Sequence, residues 1–381
     1  MNTILKRLIG LAWPIRGTML LSALLGSMTI LSGIGLLTTS AYLISMAALH
    51  PSVAALQVAI VGVRFFGIAR GIFRYAERMV SHSATFKLLA KLRVWFYSAL
   101  EPLIPARLME YKHGELSELR SGDMLRRATA DIDALQNFYV RVLAPPVVAL
   151  IIGICMWIFF GAFGSVFALI YIVSFIVSAI LVPLLAHQLG KHSSQQMVTT
   201  QAQLHTMLVD SVQGIADLVA FGQEEHQAQQ IKELNRRAKT LQMMTAYVSG
   251  LESGLTNLLM NGTAWVMLIS AIPLVYQGRL NGVLLAVLVL TVLSAFEAIM
   301  PLPGAFQQLG GILESARRLF EIVDTKPAVN NPTTTSPEPA DYSIQARQLN
   351  FRYNEEESYV LRNITFSLPQ GHCLALVGPS G

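Results

Sequence analysis

Apolar residues fall along this chain in long unbroken runs rather than in short alternations. Stretches free of Asp, Glu, Lys and Arg extend from Gly17 to Val63, Val142 to Gly190 and Ser253 to Gly278, and a further apolar run covers Leu280 to Phe296. A helix that crosses a bilayer needs about 20 such residues, so the first two stretches hold two crossings each. Turn-forming residues stand at their midpoints: His50-Pro51-Ser52 in one, and Phe160 to Ser165, with Gly161 and Gly164, in the other. The pattern predicts six membrane helices near 18–46, 53–75, 142–161, 165–186, 253–276 and 281–302.

Two polar stretches, Arg74 to Arg141 and His187 to Gly250, keep apolar residues at helical intervals. They predict that the membrane helices run on into water as long amphipathic rods. Beyond the sixth helix the pattern changes twice. Thr325 to Asp341 is rich in Pro, Thr and Asn, which suits a linker and neither a core nor a helix. Ile344 to Tyr353 then alternates like a strand, Asn354 to Glu357 makes an acidic turn, and Val360 to Gly371 is a second strand-like run ending on glycine. The expected architecture is an all-α six-helix membrane domain over 1–324, a linker over 325–341, and the opening of an α/β domain over 342–381.

Composition agrees, with 53% apolar and 13% charged residues, far from a soluble average. Of the 28 Lys and Arg residues only Arg279 falls in a loop on the outer side, so both termini are expected in the cytoplasm. The formal charge of +5 then follows from topology and calls for no nucleic-acid partner. Lys6-Arg7 imitates the start of a secretory signal, but the apolar stretch behind it far exceeds the about 7–15 residues of a signal core, so an uncleaved first helix is expected. Cys155 and Cys373 show neither a disulfide framework nor metal-ligand spacing and are read as small buried apolar residues.

Three places carry candidate chemistry. Leu374 to Val377, expected as a third strand, run into Gly378, Pro379, Ser380 and Gly381, the first half of a phosphate-binding loop whose glycines let backbone N–H groups wrap phosphate. The loop breaks off before its lysine, so the chain is expected to be a fragment without catalytic residues of its own. The segment from Ile344 onward is expected to be poorly ordered for want of a sheet. Second, Arg70, Arg74, Arg78 and His82 stand four apart and are expected to share one helical face. Guanidiniums pair with carboxylates, and a neutral imidazole can ligate a metal such as haem iron, so this face suits a small anionic ligand. The same residues also fit a membrane exit, with Arg side chains reaching lipid phosphates and Glu77 offsetting charge. Third, Glu297 lies inside the sixth helix, where a carboxylate needs a cavity or a base, with Arg64 as the expected partner.

The strand order with its phosphate loop resembles the opening of an ABC-transporter nucleotide-binding domain, in which Tyr353 would stack on adenine. Gly122 to Leu135 and Leu208 to Gly222 resemble the coupling helices of type I ABC exporters, although His113 to Leu119 and Ser121 to Leu125 both look like one family motif and blur the first. Arg74 to Phe86, Ala295 to Gly310, Ile30 to Ser45 and Asn137 to Pro146 are similar to the CydC subfamily, halves of the heterodimeric CydDC exporters needed for cytochrome bd assembly. That resemblance implies a bacterial inner-membrane, multi-pass protein, paired with a CydD-like second half and using ATP and Mg in its complete form. It implies export of thiol compounds such as cysteine and glutathione, or of haem, with His82 as axial ligand and Arg78 beside it. A multidrug or lipid exporter half and a truncated, non-transporting membrane scaffold are the other readings left open.

Overall fold

The computed structural model describes residues 2–103, 127–325, 341–352 and 358–377. Among them six helices are long and apolar enough to cross a membrane: Trp13–Ala47, Val53–Leu103, Thr129–Gly161, Ser165–Ser193, Glu224–Tyr276 and Val283–Val323. The chain opens with an amphipathic helix, α1 (Asn2–Ala12), in which Leu8 is fully buried and Lys6 exposed. A 3-10 turn, Trp13–Ile15, leads into α2 (Arg16–Ala47), and His50, at φ 53°, turns the chain into α3 (Val53–Leu100). At about 1.5 Å per residue, 48 residues reach about 72 Å, more than twice the hydrocarbon thickness, so α3 continues well outside the bilayer as the rod reading expects.

The third crossing combines α4 (Ile132–Asn137) and α5 (Ala144–Gly161), joined by a π-helical turn at Phe138–Leu143. Gly164, at φ 150°, makes the turn into α6 (Ser165–Ile176), which passes through a second π-helical turn, Val177–Leu181, into α7 (Val182–Gln213). A short helix, α8 (Ile215–Ala220), and a turn at Gly222 reverse the chain into α9 (Glu224–Tyr276), which returns along α7. The sixth crossing was expected as one helix over 281–302. It is interrupted: α10 (Val283–Ala295) gives way to a 3-10 turn at Phe296–Ala298 and a further turn before α11 (Leu302–Val323). Pro301 and Pro303 explain the break, since neither has an N–H to continue an α-ladder.

Contacts divide the chain into two compact units, Met1–Lys91 with Ile132–Ala316, and Leu92–Asp131 with Arg317–Gly381. The first holds the membrane core. Phe160, Tyr171, Phe175 and Phe296 stack in a row with ring centroids 5.0, 5.3 and 6.1 Å apart, uniting the third, fourth and sixth crossings. Inside a bilayer helices gain little from excluding water, so close contact and interhelical hydrogen bonds must hold them. Thr38 and Thr291 supply such a bond at 2.8 Å between α2 and α10. Gly35 allows the ring of Phe66 to lie where any Cβ would sit 2.6 Å from it.

In the second unit Arg318 grips Asp131 with two hydrogen bonds, of 2.5 and 3.0 Å, and Trp95 meets Phe320 edge-on at 5.8 Å. Two strands, β1 (Ile344–Phe351) and β2 (Leu361–Leu368), pair antiparallel from Ile344–Leu368 to Phe351–Leu361. The expectation of poor order therefore fails for these strands. Side-chain bonds pin their irregular register: the Gln348 N–H donates to Thr365 Oγ1 at 3.0 Å, and the Asn363 N–H to Asn350 Oδ1 at 2.8 Å. Both strands remain largely exposed. Leu374 to Val377, expected as a third strand, forms none; Leu376 and Val377 are 88% and 97% exposed, and among the described residues no strand pairs with them. Cys373 is accordingly exposed rather than buried, while Cys155 is half-buried against the membrane core.

Candidate functional site

The basic residues of α3 do not share one face. Successive residues on an α-helix turn by about 100°, so each step of four drifts by about 40° and the ladder from Arg70 to His82 sweeps about 120°. Ala59, Ala69, Ala84 and Leu88 mark the buried side of this helix. Arg70 stands next to it and is half-buried, whereas Arg74, Arg78 and His82 wind progressively away and are exposed. The His82 ring lies 6.2 Å from that of Phe86, one turn on.

Glu297 sits in the 3-10 turn that interrupts the sixth crossing. Its neighbours Phe296, Ala298 and Ile299 are 1%, 1% and 0% exposed, so the turn is anchored and the carboxylate reaches out of it. Its partner is Arg70, which donates from Nη2 to Oε1 at 2.8 Å, and not Arg64 as the sequence suggested. Arg64 is six residues before Arg70, hence about 120° around the helix and nearly opposite the buried alanines, where it is exposed. The phase of those alanines was the available signal for the pairing.

Sequence reasoning also missed Gly33. A Cβ there would lie 3.3 Å from Cζ and 3.4 Å from Nε of Arg70, so the guanidinium lies against bare backbone of α2. Two turns further along α3, Glu77 is half-buried and accepts a long hydrogen bond, 3.5 Å, from Ser22 Oγ.

A separate pocket of about 280 Å³ opens where α1, α2, α3 and the third crossing meet. Its walls include Trp13, Met19, Leu88, Val140 and Val147, with the hydroxyls of Ser22, Ser81 and Thr85 and the guanidinium of Arg16 as polar points. Arg16 lies over the Trp13 ring at 4.3 Å, and Tyr139 donates its hydroxyl to the Leu8 carbonyl at 2.6 Å, which fixes α1 as one wall. Ser81, Ala84 and Thr85 of α3 line this pocket; His82, between them in sequence, does not.

Residues 18–296 match the model of the ABC transporter transmembrane region. The chain belongs to that family. The glutathione/L-cysteine transport system ATP-binding/permease protein CydC of Escherichia coli (strain K12) is 32% identical over 366 residues, covering 95% of this chain and 62% of that protein. CydC of Haemophilus influenzae (strain ATCC 51907 / DSM 11121 / KW20 / Rd) is 31% identical over 92% of this chain and 60% of its own length, and CydD of Bacillus subtilis (strain 168) is 29% identical over 94% and 61%. The chain thus spans about three-fifths of the length of these relatives.

As an ABC transporter transmembrane region, the chain carries its helical reversal at α8, inside the segment Leu208 to Gly222 expected as a coupling helix. Ile215, Val219 and Phe221 are 61%, 59% and 77% exposed there, an apolar tip on an otherwise polar rod. The other expected coupling segment, Gly122 to Leu135, is described only from Arg127, and both His113–Leu119 and Ser121–Leu125 lie outside the described residues. So do the linker residues 326–340, Tyr353, and the phosphate-loop residues Gly378, Pro379, Ser380 and Gly381.

Proposed function

We propose that this chain is the membrane half of an ATP-driven, CydC-type exporter that moves thiol compounds such as glutathione and L-cysteine, or haem, across a bacterial cytoplasmic membrane. The observation that carries the reading is the likeness to CydC proteins over 95% of the chain, from the membrane helices into the β-hairpin. The exposed Arg74, Arg78 and His82 of α3 support an anionic cargo, since glutathione, cysteine and haem all bear carboxylates. Residues 1–324 then form the transporter's membrane domain, 325–341 the linker and 342–381 the start of the nucleotide-binding domain, with both termini cytoplasmic by the distribution of Lys and Arg. A CydD-like second half completes the cavity.

ATP with Mg supplies the free energy, and Tyr353 with Gly378 to Gly381 would meet its adenine and phosphates. The apolar tip at α8 gives the nucleotide-binding domains a surface to push, and α7 and α9, in contact along their length, carry that displacement to the membrane. Haem fits the residues available: His82 is exposed to bind iron through a neutral imidazole, and Arg78 and Arg74, one and two turns back, suit its propionates.

Two assays on the complete heterodimer test this. Inverted vesicles should accumulate labelled glutathione only with ATP; absence of ATP-dependent uptake of glutathione, cysteine and haem alike would sink the exporter reading. A haem titration should shift the Soret band in the wild type and not in His82→Ala, and an unchanged shift in the variant would remove His82 as the ligand.

A further inference from the structure

We propose that the Arg70–Glu297 ion pair is an anion-exchange latch: a substrate carboxylate takes the place of Glu297 on Arg70, and release of Glu297 frees α3 from the interrupted sixth crossing. The latch rests on the exporter reading and names the group of that site which reads the cargo.

The pair is built to be exchanged. Glu297 engages one guanidinium nitrogen through one oxygen, while Arg can hold a carboxylate by two parallel bonds, the stronger arrangement. An incoming carboxylate in the two-bond pose therefore has an advantage over the resident one. The Arg70 and Glu297 side chains are 30% and 36% exposed, so the contact opens to space a ligand can enter. Gly33 leaves the guanidinium lying against α2 backbone, a seat any side chain at that position would disturb.

The consequences of exchange fall on α3. Glu297 is fixed in a buried turn, but of the most apolar 18 residues of the Val53–Leu103 helix only 11% are buried. With so little of this apolar window held by side-chain contact, the ion pair is a main tie between the membrane part of α3 and the sixth crossing, while Leu88, Leu92, Trp95 and Phe96 anchor the far end of the helix. Irregular backbone inside a membrane is tolerated where it is buried in protein, and the residues flanking Glu297 in this turn are buried. Coupling is reciprocal: what loosens α3 must tighten the substrate, and what tightens α3 must weaken it.

The test uses the complete heterodimer in nanodiscs, with reduced glutathione and its diethyl ester as probes. Glu297→Gln removes the resident anion, so glutathione should bind about tenfold more tightly than to wild type while the ester, with no carboxylate, binds all variants alike. Arg70→Gln should lose the tightening, alone or with Glu297→Gln. The charge swap Arg70→Glu with Glu297→Arg should restore the tie and a stable fold. A second measurement needs no ligand: spin labels on α3 and α10 should report a longer distance in Glu297→Gln than in wild type. An unchanged label distance overturns the latch whatever the cargo, and so does glutathione binding that weakens equally in Glu297→Gln and Arg70→Gln. If wild type ignores glutathione while the labels separate in Glu297→Gln, the thiol-cargo reading fails and the latch stands.

Discussion

The second and sixth crossings meet at the Arg70–Glu297 ion pair and again where Trp95 touches Phe320, yet their apolar parts are held in opposite ways. Within the most apolar 18 residues, 56% of the sixth is buried and only 11% of the second. The sixth crossing breaks its own helix at Phe296–Ala298, and aromatic and aliphatic side chains clamp the break. The second is an uninterrupted helix of 48 residues that exposes Val58, Phe65, Ile72 and Met79 on one side. Regularity and attachment are thus separate properties: in their apolar parts the distorted helix is the more buried one and the straight helix the less buried.

The contrast can be broken most sharply at the clamp. Phe296→Ala leaves a void beside Phe175 and should cost about 3–5 kcal/mol, read as loss of unfolding stability in detergent. On the extension of the sixth crossing, Arg318→Ala removes two hydrogen bonds and the positive charge from the carboxylate of Asp131, 3% exposed, and should cost about 3 kcal/mol by the same measurement. Gly33→Ala acts on the contact between the two crossings by crowding Arg70, with a stability loss of about 1 kcal/mol and a glutathione affinity that changes in step. The comparison is sharpened at its other end by Phe65→Ala, on the exposed side of α3 at 64% exposure, which should stay within about 0.5 kcal/mol of wild type. Equal losses for Phe296→Ala and Phe65→Ala would erase the distinction.

Much of this was legible in the sequence, for physical reasons that differ by region. A charge-free run of about 20 residues has few alternatives to a membrane helix, so the six crossings could be read off directly. The hairpin was legible as two alternating runs, but its order was not, because its register is held by the particular side chains of Asn350 and Thr365. The third strand failed because an apolar run leading into a phosphate loop shows what a segment could pair with, and none of the described residues pairs with this one. At the site, spacing identified Arg70 and Glu297 as members and misassigned the pair. Four-residue spacing on a helix reads as one face over a turn or two, and by His82 the accumulated drift has carried the ladder from the buried to the exposed side. Gly33 could not have been found at all, since a glycine's role in seating a guanidinium depends on which helix lies across it.

The π-helical turn at Val177–Leu181 sets the rotational phase between the membrane part of its helix, α6, and the rod, α7. Such a turn accommodates one more residue than an α-helical turn would. Because the wide turn absorbs that residue, deleting one residue there would let the helix close into regular α geometry with α6 and α7 in nearly the same phase, whereas a deletion elsewhere in α7 would rotate everything beyond it by about 100°. A codon can thus be lost or gained here with both the membrane face and the aim of the rod preserved, and length differences among relatives are expected to collect at this turn.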